Sequence, residues 1–137
     1  WSRRNRSALI RVPMYHPGQE KATRCEFRSP DPACNPYLTF AVMLHAGLDG
    51  IEHGYKVEDP MEMNLYDLSD AEREEMGIQM LPESLGEAVR FAEKSDLLKR
   101  ALGDHSFGRL IELKKKEWNE YKVQLTPWEM DKFLSVL

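Results

Sequence analysis

Within the first 28 residues, Arg6, Arg11, Lys21, Arg24 and Arg28 accompany the carboxylate of Glu26, in the strings Asn5-Arg6-Ser7-Ala8-Leu9-Ile10-Arg11-Val12-Pro13 and Arg24-Cys25-Glu26-Phe27-Arg28-Ser29-Pro30-Asp31-Pro32. Guanidinium forks match the oxygens of carboxylates and phosphates two at a time, so this cluster could hold anions. A carboxylate with guanidinium groups two residues before and after it on one strand face stays ionised at neutral pH, because nearby positive charge favours the charged form. The plain alternative is a structural row of ion pairs, individually of little worth at a surface. One carboxylate does not make a magnesium site, since Mg²⁺ wants octahedral oxygen ligation and usually more than one carboxylate. Glu26 would need further ligands from outside this chain.

The elements that must position these residues follow from periodicity. Ala8, Ile10 and Val12 alternate with Ser7, Leu9 and Arg11, which predicts a strand over 7–12 with its apolar side toward a core, ended by Pro13. Residues 23–28 repeat the device, with Thr23, Cys25 and Phe27 on one side and Arg24, Glu26 and Arg28 on the other. Pro17-Gly18 supplies turn chemistry, so the two strands read as a hairpin with a loop of about ten residues. Arg6 has the wrong parity to share the face of Arg11; it must precede the strand or sit at a bulge. An isolated hairpin is marginal in water and its edges require partners, so the chain is expected to continue upstream of Trp1.

After Pro30-Asp31-Pro32 the period changes to near 3.6. Asn35 can cap a helix, Pro36 suits its first position, and Tyr37, Phe40, Ala41, Leu44, Leu48 and Ile51 form an apolar stripe, with an end expected around Gly47 to Gly50. Ser69 with Glu72, Ser84 with Glu87, and Thr126 with Glu129, the last followed by Pro127, announce three further helix starts. A long helix is expected from about Asp104 to Tyr121, with Phe107, Leu110, Ile111, Trp118 and Tyr121 inward and Lys114, Lys115 and Lys116 outward as a solvated face. The fold class is therefore α+β: an N-terminal β-hairpin over 1–30, then a mostly helical body over 34–137.

Composition narrows the functional classes. The chain has 137 residues, 42% of them hydrophobic, the profile of an ordinary soluble domain. It has no run of 18 or more apolar residues and no signal-peptide pattern, so membrane insertion and secretion are disfavoured and the cytoplasm is the expected compartment. Residues 1–28 carry a net charge of +5 and the remainder −9. The arginines alternate with apolar residues rather than forming an aromatic-interleaved basic stripe, which favours phosphate on a small molecule over nucleic acid. Cys25 and Cys34 lack any metal-ligand spacing and read as buried thiols.

The pattern NRSA, then Arg11 and Pro13, then Glu26-x-Arg28-x-Pro30-Asp31-Pro32 and Asn35-Pro36-Tyr37-Leu38, resembles the C-terminal part of the catalytic domain of glutamine synthetases of the bacterial and archaeal type I. The resemblance continues through Ala46-Gly47-Leu48-Asp49-Gly50-Ile51 and Asn64-Leu65-Tyr66-Asp67-Leu68. It implies that the hairpin completes a curved antiparallel sheet, and that the activity is ATP-dependent ligation of ammonia to L-glutamate through γ-glutamyl phosphate, with Mg²⁺ or Mn²⁺. Carried over residue by residue, Arg6 would contact glutamate and the transferring phosphate, Arg11 and Arg24 the nucleotide phosphates, and Lys21 the nucleotide. Glu26 would be a metal ligand, and Arg28 would bind glutamate and stabilise the charged intermediate. The family's other metal, nucleotide and glutamate-binding motifs lie outside this sequence, so the chain alone is expected to be inactive. The other readings are a related ligase joining glutamate to a larger amine, and a non-catalytic fragment serving as an interaction module.

Several residues carry two readings. Tyr66 matches the tyrosine that some family members have adenylylated; otherwise it is an exposed loop tyrosine packed by its ring. His16 could approach the nucleotide or simply occupy an exposed loop, while His45 and His53 are expected to be structural and the methionines to fill the core. Trp128, Met130, Phe133, Leu134 and Leu137 make an apolar chain end, which docks either on its own domain or, as the resemblance implies, on a facing subunit of two stacked hexameric rings.

Overall fold

The computed structural model describes residues 1–3 and 5–136. It divides into two compact units, Trp1–Met80 and Leu81–Leu137. The first holds β1 (Ile10–Arg11), β2 (Glu26–Phe27), α1 (Pro36–Glu52) and α2 (Asp70–Glu75). The second holds α3 (Leu85–Glu93), α4 (Asp96–Tyr121) and α5 (Pro127–Phe133). Mostly helical with a small antiparallel pair, the chain has the α+β class its sequence predicts. No helix is long and apolar enough to cross a membrane among the described residues.

β1 and β2 pair antiparallel with Ile10 opposite Phe27 and Arg11 opposite Glu26. The strands are shorter than the periodicity suggests, because Pro13 and Pro17 interrupt the connection and a single 3₁₀ turn, Glu20–Ala22, occupies part of it. The other edge of β1 is taken by the N-terminus: Ser2 N donates to Ile10 O at 2.9 Å and Val12 N to Ser2 O at 2.9 Å. Ala8 is buried as expected, but Ile10 and Phe27 are exposed, and so is Cys25, which was expected inside. Cys34 is half-buried, and both thiols are free.

Helix starts follow local chemistry. Asn35 Oδ1 accepts from Tyr37 N at 3.0 Å and Leu38 N at 3.3 Å, with Pro36 in the first turn. α1 then runs through Gly47 and Gly50 to Glu52, ending just before Gly54, whose φ of 62° is the left-handed turn that glycine accepts. Ser69 with Glu72 and Thr126 with Glu129 form complete capping boxes. Ser84 caps α3 through Glu87 N, but the Glu87 side chain accepts from Glu83 N instead.

α4 contains a break at Gly103 (φ 72°, ψ 160°), so the helix expected from Asp104 is its second segment, and the segment capped by Ser95 is additional. In the second unit, α3 packs against α4 through buried Gly86, Val89 and Ile111. Phe107, Leu110 and Trp118 are partly covered there, whereas Tyr121 is exposed, contrary to expectation, because it lies at the last residue of α4. Lys114, Lys115 and Lys116 form the expected solvated face, paired with Glu117, Glu93 and Glu120.

Much apolar surface stays open. The chain exposes 11567 Å², where two folded units of half its mass each would together expose roughly 9,000 Å². The α1 stripe accounts for part of this, since Tyr37, Phe40, Leu44 and Ile51 are between 63% and 84% exposed. Six of the seven methionines are exposed rather than buried.

Candidate functional site

The register that places Arg11 opposite Glu26 also builds the site. Arg11 Nη1 donates to Glu26 Oε2 at 3.0 Å, while Arg24 donates to Oε1 from Nη2 at 2.7 Å and from Nε at 3.0 Å. Two strands and the loop between them thus converge on one carboxylate. Glu26 is held below the usual carboxylate range, first by the hydrogen bond from Arg11, against a desolvation effect that raises it, then by Arg24. Arg24 is further tied by Nη1 to Ala22 O at 3.2 Å, which fixes it to the 3₁₀ turn. The buried Nε of Arg11 has no hydrogen-bond acceptor among the described residues, a loss for a buried donor of about 1–3 kcal/mol.

Arg11 and Arg24 line a cavity of about 370 Å³ with Arg3, Tyr15, His16 and Gln19. Tyr15 Oη and Gly18 N both donate to Glu20 Oε1, at 3.0 and 3.1 Å, and so brace the loop that forms one wall. Three guanidinium groups, two of them sharing the Glu26 carboxylate, leave this space suited to an anion.

The sequence-predicted residues fall into two groups. Arg11, Arg24 and Glu26 are brought together. Arg6, on the turn before β1, Lys21, in the 3₁₀ turn, and Arg28, just after β2, are exposed and lie outside the cavity lining. None of these three has an ion-pair partner among the described residues. Arg6 precedes the strand, the first of the two places its parity left open. Tyr66 lies in a 3₁₀ turn, Leu65–Asp67, and is exposed. His16 is an exposed loop residue that reaches the cavity rim; His53 is structural, its Nδ1 at 2.9 Å from Asp49 O and its ring stacked on Tyr55. Sequence reasoning missed Arg3 and Tyr15 as lining residues; the density of arginines at positions 3, 4 and 6 was the available signal for the first.

A divalent cation does not suit the donors present. Among the described residues no group of three or more His, Cys, Asp or Glu side chains is placed to hold one, and both oxygens of Glu26 accept from guanidinium groups.

The family model for the glutamine synthetase catalytic domain matches residues 1–133. The glutamine synthetase of Mycolicibacterium smegmatis is 48% identical over 136 residues, covering 99% of this chain and 30% of that protein. That of Methanosarcina mazei is 48% identical over 137 residues, covering 100% of this chain and 30% of that protein. Among solved structures, "Apo GmaS without ligand" superposes with a TM-score of 0.78 at 35% identity, over 98% of this chain and 29% of that one. The chain spans about 30% of the length of the curated relatives it matches. With nearly its whole length covered by one family model and by relatives of such identity, the chain belongs to the glutamine synthetase catalytic-domain family.

Proposed function

We propose that this chain supplies the phosphate- and glutamate-facing wall of a glutamine synthetase active site, whose other wall comes from residues beyond it. The observation that carries the reading is the cavity lined by Arg3, Arg11 and Arg24 with the single carboxylate of Glu26 bridging the last two. In the reaction, an oxygen of glutamate's side-chain carboxylate attacks the γ-phosphorus of ATP and the bond to the bridging oxygen breaks, releasing ADP. Ammonia then attacks the acyl carbon of γ-glutamyl phosphate, loses a proton to a base, and phosphate leaves to give glutamine. Such chemistry depends on positioning and on neutralising concentrated negative charge.

Arg11 and Arg24 would hold the nucleotide phosphates with the donors that Glu26 leaves over, and Lys21 would steer the nucleotide. Arg6 and Arg28, exposed and unpaired among the described residues, would take the transferring phosphate and glutamate. Glu26 orients Arg11 and Arg24 across the strand pair. Its role as a ligand to Mg²⁺ or Mn²⁺ belongs to the same reading but needs carboxylates from beyond this chain and an oxygen released by a guanidinium group, so no step above runs through it. The exposed α1 stripe and the α5 residues Trp128, Met130, Phe133 and Leu134 fit burial against the rest of the enzyme and against a facing subunit in a ring-stacked homo-oligomer. The cytoplasm is the compartment in keeping with this reaction.

The test is glutamate- and ammonia-dependent release of ADP by the complete enzyme containing this sequence. Arg11→Ala or Arg28→Ala should lower kcat/KM by roughly 10²-fold or more, the scale of losing one preorganised electrostatic contact. The 137-residue chain alone should turn over nothing. A complete enzyme that hydrolyses no ATP with glutamate, or that prefers methylamine to ammonia, would overturn the reading, the second result in favour of a ligase for larger amines.

A further inference from the structure

Arg6 projects from a turn whose flanking residues are fastened to a segment more than fifty positions away. Asn5 Oδ1 accepts from Ser7 N at 2.9 Å and from Ser7 Oγ at 2.8 Å, closing the turn around Arg6. The Asn5 side-chain amide donates to Met63 O, and Ser7 Oγ accepts from Leu65 N at 3.2 Å, so both neighbours of Arg6 reach the same strand of chain. Behind them, Asn5 N donates to Ser2 Oγ at 2.9 Å, and Glu62 accepts from Ser2 Oγ at 2.9 Å and from Arg3 N at 3.1 Å. The receiving segment is itself gripped, because Arg73 donates to Leu65 O from Nε at 3.3 Å and Nη2 at 3.2 Å.

Asn5 and Ser7 belong to the string that carries the family resemblance, and the reaction assigned above gives them no role. We propose that Asn5 and Ser7 are positioning residues: together they lock the backbone of the Arg6 turn onto the Met63–Leu65 segment and so fix where the Arg6 guanidinium is presented. The proposal deepens the functional reading and rests on it for the role of Arg6. The chemistry is specific. Ser7 Oγ must donate to Asn5 and accept from Leu65 at once, which a hydroxyl can do and a methyl cannot. Asn5 must offer an acceptor inward and a donor outward, which a carboxamide does from two separate atoms. Asparagine and serine bond readily to local backbone, which makes a turn of this kind firm without helix or sheet.

The decisive experiment is a double-mutant cycle in the complete enzyme. Asn5→Ala and Ser7→Ala should each lower kcat by roughly tenfold, the scale of a lost hydrogen bond, with less change in KM for ATP. Ser7→Thr, which keeps the hydroxyl, should restore most of the activity. On an Arg6→Ala background, Asn5→Ala should cost little further, because its effect passes through Arg6. Equal losses with and without Arg6, or full activity in Asn5→Ala, would overturn the proposal. In the 137-residue chain, amide exchange at Ser7 and Leu65 should accelerate by about tenfold in Asn5→Ala. Unchanged exchange there would overturn it independently of catalysis, whereas an inactive complete enzyme with accelerated exchange would sink only the assignment of function. Asn5→Asp, which keeps the inward acceptor and loses the outward donor to Met63 O, serves if the alanine variant fails to fold; it should preserve protection at Ser7, whose amide keeps its acceptor, and loss of that protection would count against the arrangement.

Discussion

Gly86 on α3 lies so close to the Trp118 indole on α4 that a Cβ placed on it would come within 2.5 Å of both Cε2 and Nε1 of the ring. The contact explains why a glycine stands in the first turn of a helix, where alanine would ordinarily be better by about 1 kcal/mol. Gly86→Ala gains that propensity but forces the indole aside, and overpacking costs about 1–3 kcal/mol. The expected net result is destabilisation by up to about 2 kcal/mol, read as a lower urea midpoint by circular dichroism. On a Trp118→Ala background the same change should become neutral or stabilising. A penalty that persists without the indole would place the strain elsewhere.

Glu26 provides a titration that reports on the site. Its folded-state pKa is lowered from the ordinary 4.5, chiefly by the hydrogen bond from Arg11 and then by Arg24. A depressed carboxylate stabilises the fold above its unfolded pKa, and that contribution disappears as pH falls through the folded value. Acidification should therefore loosen the β1–β2 pair only below the usual carboxylate range, and Glu26→Gln should remove that pH dependence. Carbon-detected NMR of the Glu26 carboxylate checks this; Arg11→Ala should move its midpoint upward more than Arg24→Ala does.

Helix starts were legible in the sequence because a cap is local chemistry. Asn35, Ser69, Ser84 and Thr126 each bond to an amide two or three residues ahead, whatever surrounds them. Burial was less legible, because it depends on what packs against an element. The α1 stripe has the right period, yet its residues are exposed, and Cys25 and Phe27 occupy the expected apolar side of β2 without a covering layer among the described residues. The site was half legible. Alternation foretold the Arg24–Glu26 pair, but Arg3 reaches the cavity through the bridge between Ser2 and Arg11, a long-range pairing no spacing announces. Leu137, part of the expected apolar chain end, lies outside the described residues.

The two capping boxes give a second pH-dependent test. Glu129 is lowered by the Thr126 amide and then its hydroxyl, and Glu72 by the Ser69 hydroxyl and then its amide. The stabilisation they give is present above the ordinary carboxylate pKa and lost as pH falls through the depressed values. Thr126→Ala and Ser69→Ala should each cost about 1 kcal/mol at neutral pH. Their penalty should shrink on acidification, as the glutamate half of each box is protonated; a penalty independent of pH would mean that the hydroxyl works alone.

The conformation of Gly103 makes α4 two segments. Its φ of 72° with ψ of 160° is a region that side chains avoid, and forcing a Cβ into it costs on the order of 1–3 kcal/mol. Nothing lies within 4 Å of where a Cβ would sit, so the obstacle is backbone strain rather than crowding. Gly103→Ala and Gly103→Asn should therefore both lower the melting temperature, because asparagine's tolerance of positive φ belongs to the left-handed helical region and not to this one. An unchanged melting temperature in both would mean that the backbone escapes the strain by relaxing, and a gain from alanine would mean that the two segments fuse into one continuous helix.

The α1 face offers the sharpest contrast between this chain and a complete enzyme. Phe40 and Leu44 are 66% and 63% exposed here, so Phe40→Ser and Leu44→Ser should change the stability of the 137-residue chain by no more than about 0.5 kcal/mol, as for other surface positions. If the stripe is covered in the complete protein, the same substitutions should there cost about 3–5 kcal/mol at Phe40 and 2–5 kcal/mol at Leu44, the scale of emptying a packed apolar site. Parallel denaturant titrations decide it. A large loss in the chain itself would mean that this face is already packed, whereas no loss in either form would leave the helix as a solvent-facing spacer with no apolar partner.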